Sequence, residues 1–408
     1  MRVLYSFPHK LGADRICYTA WEQVRGLVSA GADVLLFPGS LWRPVPDAVE
    51  VHPTLSRGKL RLPYKLLGRL KSLALHDRIV ARRLESNKFA RKIDVVHVWP
   101  CAALETIKAA KRLGIPTVLE RPNAHTRFCY EVVAAEHQRI GIQTPHGDYL
   151  PDPAVLAREE AEFDATDFLL CASEFAAQSF LDRGFPAAKI LRHRYGFDDT
   201  LYFPSAPLRD PNKKFTALFV GVDAVRKGLH LATEAWLTSP ASHDGIFQIA
   251  GQLTDEYQSR FARDLAHPSI VQLGHRHDIP QLMQQADILL MPSIEEGFAL
   301  VCAEAIGAGC VPLASTACTE MCRHLDNALV HTVGDLPTLR QQLTEIHARP
   351  ELLAQLRAGA LRTRANWTWP AAGRVLLSAY EQAVERHEND CNRTGRPRAA
   401  NLVPAATC

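Results

Sequence analysis

Two glutamates eight residues apart, Glu296 and Glu304, stand in the segment MPSIEEGFALVCAEAIGAGCVPLAS, residues Met291–Ser315. The segment reads as strand, glycine-containing loop, helix, glycine turn and strand. Glu304 falls inside the helix, where a carboxylate can accept hydrogen bonds from two neighbouring hydroxyls, as a ribose presents them. Glu296 begins the loop and can do the same for a sugar. Gly297, Phe298 and Ala299 lie at the helix N-terminus, where unpaired N–H groups and the helix dipole favour an anion. Diphosphate, ribose and sugar hydroxyls together describe a sugar nucleotide. A second stretch, LFVGVDAVRKG at Leu218–Gly228, ends a strand in Gly221 and places Arg226 and Lys227 side by side before Gly228. Taken alone, an Arg-Lys pair is more often part of a solvated loop.

The elements that must position these residues alternate. Apolar runs at Arg2–Ser6, Ala32–Phe37, Asp94–Trp99, Pro116–Glu120, Asp167–Ala172 and Ile190–His193 are separated by helical patterns such as Ala102–Leu113 and Glu174–Gly184. The alternation restarts with Phe215–Gly221, Phe247–Gly251, Ser269–Gly274, Asp287–Met291 and Val311–Ala314. Strands alternating with helices predict parallel, doubly wound sheets. Pro204, Pro207 and Pro211 mark a linker between the halves, because each fixes φ and removes a donor. The reading is α/β, with two Rossmann-like domains facing a central crevice, which is the natural ligand site. Expected boundaries are 1–204, 205–366, a C-terminal helix at 367–388 returning to the first domain, and a disordered tail at 389–408.

Composition bounds the rest. The chain has 408 residues, of which 47% are apolar and 22% charged, enough for two sizeable cores. The net charge of 47 Lys and Arg against 44 Asp and Glu is +3, too small to imply nucleic acid. Ten cysteines, several of them inside apolar runs, fit buried thiols in a reducing compartment and a cytoplasmic protein. Cys318 and Cys322 have no second ligand pair nearby and read as incidental thiols rather than a zinc site. No apolar run is long enough to span a membrane. Arg57–Lys92 holds twelve basic residues and two acids with interleaved leucines. It reads either as an amphipathic helix lying on anionic lipid at the inner face of the membrane, or as a solvated face whose leucines pack inside. No aromatic platform accompanies it, which disfavours nucleic acid.

The Met291–Ser315 segment resembles the E-x7-E motif of retaining glycosyltransferases of family 4, which have the GT-B fold. Pro292-Ser293, the Glu296-Gly297-Phe298 triplet, Glu304-Ala305 and Gly309-x-Val311-Pro312 carry the likeness. Arg226 and Lys227 match the family's grip on the donor diphosphate, but Val222 stands where an alternative pattern has arginine. Trp367-Thr368-Trp369 with Tyr380 looks like the helices that cross back to the first domain. The resemblance is good over about 165–380 and loose before. It implies a retaining transferase, with a nucleoside-diphosphate sugar (UDP or GDP) as co-substrate and no metal or other cofactor. No Asp-x-Asp pair occurs, so a metal-diphosphate clamp has no support. The acceptor would be a glycan, lipid or small molecule, in cell-surface polysaccharide or glycoconjugate synthesis. Catalytic roles are expected for Lys227, Arg226, Glu296 and His125, the last in RPNAHTR after a strand. Glu120, Asn123 and Arg127 are further candidates there. Donor contacts are expected from Glu304, Gly297, Phe298, Ala299, Gly221 and Gly12, whose loop Pro8–Arg15 has one glycine where the family often has two. The alternatives are a nucleotide-sugar epimerase or hydrolase of the same fold, which would turn over donor alone, and a non-catalytic sugar-nucleotide-binding protein.

Overall fold

Strand β1, RVLYSFPHKL at Arg2–Leu11, is buried along most of its length, as a parallel strand covered on both faces must be. The apolar run predicts a strand ending at Ser6. The structure carries it through Pro8, with a register shift between Phe7 and Lys10 where the proline cannot donate to the ladder. Gly39 on the neighbouring strand makes room: a Cβ there would lie 2.3 Å from the Pro8 carbonyl oxygen.

A computed structural model describes residues 1–57, 60–61, 68–86, 89, 91–144, 152–204 and 213–394. The linker prolines Pro207 and Pro211, and residues 395–408 of the expected tail, lie outside the described residues. With β2 (Asp33–Leu41), β3 (Glu50–Val51), β4 (Val95–Val98), β5 (Thr117–Arg121), β6 (Phe168–Cys171) and β7 (Ile190–Arg192), β1 builds a parallel seven-stranded sheet, order β3-β2-β1-β4-β5-β6-β7. The second half repeats the plan with β8 (Thr216–Val220), β9 (Ile246–Ala250), β10 (Ile270–Gly274), β11 (Ile288–Met291), β12 (Val311–Ser315) and β13 (Leu329–His331), order β10-β9-β8-β11-β12-β13. The winding direction reverses between β1 and β4 and again between β8 and β11. Ligands bind outside the carboxyl ends of strands at such reversals.

Helices cover both faces. After β1 comes α1 (Ile16–Ser29), and α2 (Arg69–Glu85) carries the described helical part of the basic stretch. Its Leu73, Val80 and Leu84 are buried in the first domain, and its basic side chains Arg78, Arg82 and Arg83 are largely turned outward. Buried Asp77 fixes the helix by accepting the Glu105 and Thr106 N–H groups (2.9 Å each) at the start of α3 (Leu104–Arg112). Most of the described apolar face is therefore spent on packing, Leu70 at the start of the helix stays exposed, and Leu62, Leu66 and Leu67 lie outside the described residues. After β5 comes α4 (Thr126–Ile140), and α5 (Pro153–Ala165) leads to β6.

The second domain contributes α6 (Leu229–Leu237) after β8 and α7 (Leu300–Ala308) after β11. The last helix, α8 (Trp369–Thr394), continues past residue 388, where the tail was expected to start. It returns to the first domain and crosses α1 where two glycines face each other. A Cβ on Gly373 would lie 2.3 Å from the Gly26 carbonyl carbon. The Tyr380 hydroxyl meets His97 Nδ1 of β4 at 2.7 Å.

Under the first sheet His76 is buried between Ser6 Oγ (2.9 Å) and Thr54 Oγ1 (2.6 Å). Burial, with His9 nearby, lowers its pKa to about 3. The unfolded chain takes this proton near pH 6.5 and the native protein only near 3. This contribution is thus complete above 6.5 and is lost as pH falls from 6.5 toward 3, by about 2 kcal/mol at pH 5. Thermal unfolding of His76→Gln should show a smaller loss of melting temperature between pH 7 and pH 5 than the parent. Parallel pH profiles would remove His76 from the linkage.

Candidate active site at the facing strand ends

The loops after β8 and β11 touch because Gly228 has no side chain. Its φ is +69° and a Cβ would lie 2.0 Å from the Pro292 carbonyl oxygen. That approach brings the ammonium of Lys227 onto Glu296 Oε1, which also accepts Ser293 Oγ at 3.0 Å. Ser315 Oγ donates to the Ser293 carbonyl at 2.6 Å and braces the loop from β12. Arg226 reaches Glu295 Oε2 at 3.1 Å, Asp223 Oδ2 at 3.3 Å and Glu296 Oε2 at 3.7 Å. Burial would raise the Glu296 pKa, but Lys227 and Arg226 outweigh it and hold the carboxyl below the usual range. Gly221 lies beneath the lysine, its Cβ position 3.2 Å from Lys227 Cγ.

Glu304 sits on α7, half-buried. Burial pushes its pKa up to about 7, against the opposing effects of the neighbouring Tyr202 hydroxyl and the charge of Lys227. Helices α6 and α7 both start at left-handed residues, Gly228 and Ala299 (φ +53°), and neither has a side-chain cap. By contrast His125, Asp152 and Ser173 cap the helices they precede. Free N–H groups at the starts of α6 and α7 therefore lie on the two loops that also hold Arg226, Lys227 and Glu296. The strained backbone at Ala299 is the kind that persists where surroundings over-determine it, often at functional sites.

The same loop presses on the first domain. A Cβ on Gly297 would lie 1.6 Å from the Pro122 carbonyl oxygen, so only glycine fits. Glu295 Oε1 accepts the Ala124 N–H at 3.3 Å. The Phe298 ring is buried edge-on against Tyr195, centroids 5.3 Å apart, and Tyr195 donates to buried Glu120 at 2.6 Å. Two cavities meet at Arg226. One, of about 570 Å³, is lined by Arg15, His137, Gln143, Val222, Asp223 and Tyr257 among others. The other, of about 540 Å³, lies on the first-domain side and includes Arg69, Asn123, Cys129, Tyr130 and Glu295.

The structure thus brings together Arg226, Lys227, Glu296, Gly297, Phe298, Ala299, Gly221 and Glu304. It does not bring His125 to them. Its Nδ1 accepts the Arg127 N–H at 3.2 Å as a helix cap, its ring packs between Phe163 and Phe180, and burial lowers its pKa to about 4. Arg127 pairs with Glu160 at the surface. Gly12 takes φ +84°, and its carbonyl accepts Arg43 Nε at 2.8 Å. Its loop reaches the site through Arg15. Sequence reasoning missed Glu295 and Tyr202. Glu295 adjoins a motif residue and nothing in the spacing separates the two roles. Tyr202 stands in the approach to the linker, far in sequence from Glu304.

Residues 214–349 match the family Glycosyl transferases group 1. A D-inositol 3-phosphate glycosyltransferase of Thermobispora bispora is 25% identical over 395 residues, covering 90% of this chain and 89% of that protein. Sucrose-phosphate synthase from Thermosynechococcus elongatus superposes with a TM-score of 0.66 at 17% identity, over 93% of this chain and 98% of that one. HepE of Anabaena, solved with UDP, gives 0.62 at 17% identity, over 95% and 100%. With its paired parallel sheets and returning helix, the chain has the GT-B fold of these structures, and its residues 214–349 match Glycosyl transferases group 1.

Proposed function

We propose that this protein moves a sugar from a nucleoside-diphosphate sugar to an acceptor hydroxyl, retaining the anomeric configuration as family 4 enzymes do and needing no metal. The observation that carries this reading is the Lys227–Glu296 pair, set between two uncapped helix N-termini and followed on α7 by a carboxyl of raised pKa. UDP in the similarly folded HepE supports the donor class. Lys227, Arg226 and the N–H groups near Phe298 and Ala299 meet the diphosphate, Glu304 the ribose and Glu296 the sugar hydroxyls. In an oxocarbenium-like transition state the bond from the anomeric carbon to the diphosphate oxygen breaks and negative charge grows on that oxygen. Those fixed cations and dipoles stabilise the growing charge without reorganising. The acceptor hydroxyl attacks from the leaving-group face, and its proton passes to the departing diphosphate oxygen.

The acceptor enters from the first-domain cavity beside Asn123 and Tyr130. A glycan, lipid or small-molecule acceptor used in cell-surface polysaccharide or glycoconjugate synthesis, and a cytoplasmic setting, complete the proposal. Nine cysteines are free among the described residues, eight of them buried, which suits a reducing compartment. No described helix is long and apolar enough to cross a membrane.

A panel of UDP- and GDP-sugars with chelator present tests the reading. Slow hydrolysis or transfer of one donor, with the anomeric configuration kept, is expected. Activity that needs restored magnesium, or an inverted product, contradicts it.

Two variants probe the roles. Only ionised Glu304 accepts both ribose hydroxyls, so donor affinity should rise from pH 6 to 8, as the carboxyl loses its proton near 7. Glu304→Gln should weaken binding by about 1.5–3 kcal/mol and lose that component of the pH dependence. An unchanged pH slope in calorimetry would remove Glu304 from the ribose. Lys227→Ala should lower kcat by roughly a hundredfold or more, with a smaller loss of nucleoside affinity, because the charge it meets grows during bond breaking. Equal losses would mean that Lys227 anchors only the ground state.

A further inference from the structure

The cations of the donor loops are already matched by carboxylates of the protein. Arg226 and Lys227 face three carboxylates, Asp223, Glu295 and Glu296, and are ion-paired to them. Beside them the loop after β8 carries apolar Val222, half exposed and lining the same cavity as Arg226. A diphosphate arriving here needs a cation whose charge is not already matched.

Arg15 has that property. It belongs to the other domain, on the loop between β1 and α1, yet lines the same cavity as Val222, Asp223 and Arg226. Among the described residues its guanidinium has no hydrogen-bond or ion-pair partner. Its backbone is held at φ +58°, ψ −131°, outside the ordinary regions for a side-chain-bearing residue. This conformation starts α1 with no side-chain cap. Lys10 and Arg43 flank the same loop but are engaged, Lys10 over the Trp42 ring at 3.1 Å and Arg43 on the Gly12 carbonyl. The strain at Arg15, its lack of a partner among the described residues and its place in the cavity with Arg226 all point the same way.

We propose that Arg15 is a donor-binding residue: its guanidinium closes on the diphosphate from the first domain, opposite Arg226 and Lys227, and supplies the cation that Val222 does not. The planar guanidinium donates two parallel hydrogen bonds to phosphate oxygens. Because the ligand then bridges both domains, diphosphate binding also favours the arrangement in which the acceptor side is assembled. This proposal rests on the reading of the cleft as a nucleoside-diphosphate-sugar site.

The test is calorimetry with UDP, GDP, uridine and guanosine on the full chain and on Arg15→Ala and Arg15→Lys. For the diphosphate that the parent binds, Arg15→Ala should weaken affinity at least tenfold and change affinity for the matching nucleoside less than twofold. Arg15→Lys should recover only part of the loss, since an ammonium keeps the charge without the fork. Thermal unfolding of each variant checks the fold, and exposed Arg15 should leave it unchanged. Unaltered diphosphate affinity in Arg15→Ala overturns the proposal and leaves the donor reading standing. Equal losses for diphosphate and nucleoside overturn it as well, because Arg15 would then shape the loop rather than meet phosphate. A parent that binds neither diphosphate overturns the donor reading and this proposal together.

Discussion

The Lys227–Glu296 ion pair is the interaction on which the rest of the site depends. Both groups are largely withdrawn from water, with side-chain exposures of 15% and 5%. Withdrawing charges from water is costly, and removing one partner of such a pair leaves the other uncompensated, at about 3–5 kcal/mol. Each charge therefore holds the other in the cleft. Arg226 extends the arrangement to Glu295 and Asp223, so the loops after β8 and β11 form one electrostatic unit. A ligand that enters must offer replacement charge where it separates a pair. A diphosphate does so for the cations, and sugar hydroxyls do so for Glu296.

That unit exists because three backbones come closer than side chains allow. Gly228 lies against Pro292, Gly251 against Gly221, and Gly297 against Pro122 of the other domain. The first contact fixes the donor loops to each other, and the second holds the loop after β8 against the end of β9. The third fixes them to the domain that offers the second cavity. The returning helix α8 works at longer range. Gly373 seats it on Gly26 of α1, and Tyr380 ties it to His97 in the first sheet. Its leading segment pairs with Phe197 through Thr368, and the Phe197 ring occupies the space that a side chain at Gly307 on α7 would need. The chain thus leaves the first domain, builds the donor site and returns to brace the last turns of α1 at Gly26. The loop before that helix holds Arg15.

Much of this was legible in the sequence because it is local. Alternating apolar runs gave the parallel strands, and the segment from Glu296 to Glu304 showed its loop and helix through glycine placement alone. What was not legible depends on partners distant in the chain. Tyr202 acquires its role from Glu304, and Glu295 from Arg226 and Ala124. His125 follows a strand, as a crevice residue would, yet its side chain serves the backbone of its own helix. The leucines of the basic stretch fit two environments equally well by periodicity. The choice for Leu73 and Leu84 is set by buried Asp77 anchoring α2 to α3, which composition does not reveal. Pro8 signals the end of a strand, but Gly39 beside it lets the strand continue.

The central claim is that the facing strand ends form a diphosphate site built from protein charges and helix N-termini, with no metal. The most direct measurement is calorimetric titration of the unsubstituted protein with UDP and GDP against uridine and guanosine, with chelator present throughout. Two charge-assisted hydrogen bonds at about 1.5 kcal/mol each correspond to roughly a hundredfold in affinity. One diphosphate is expected to bind at least that much more tightly than its nucleoside. Equal affinity for diphosphate and nucleoside, or binding that appears only when a divalent cation is supplied, would contradict it.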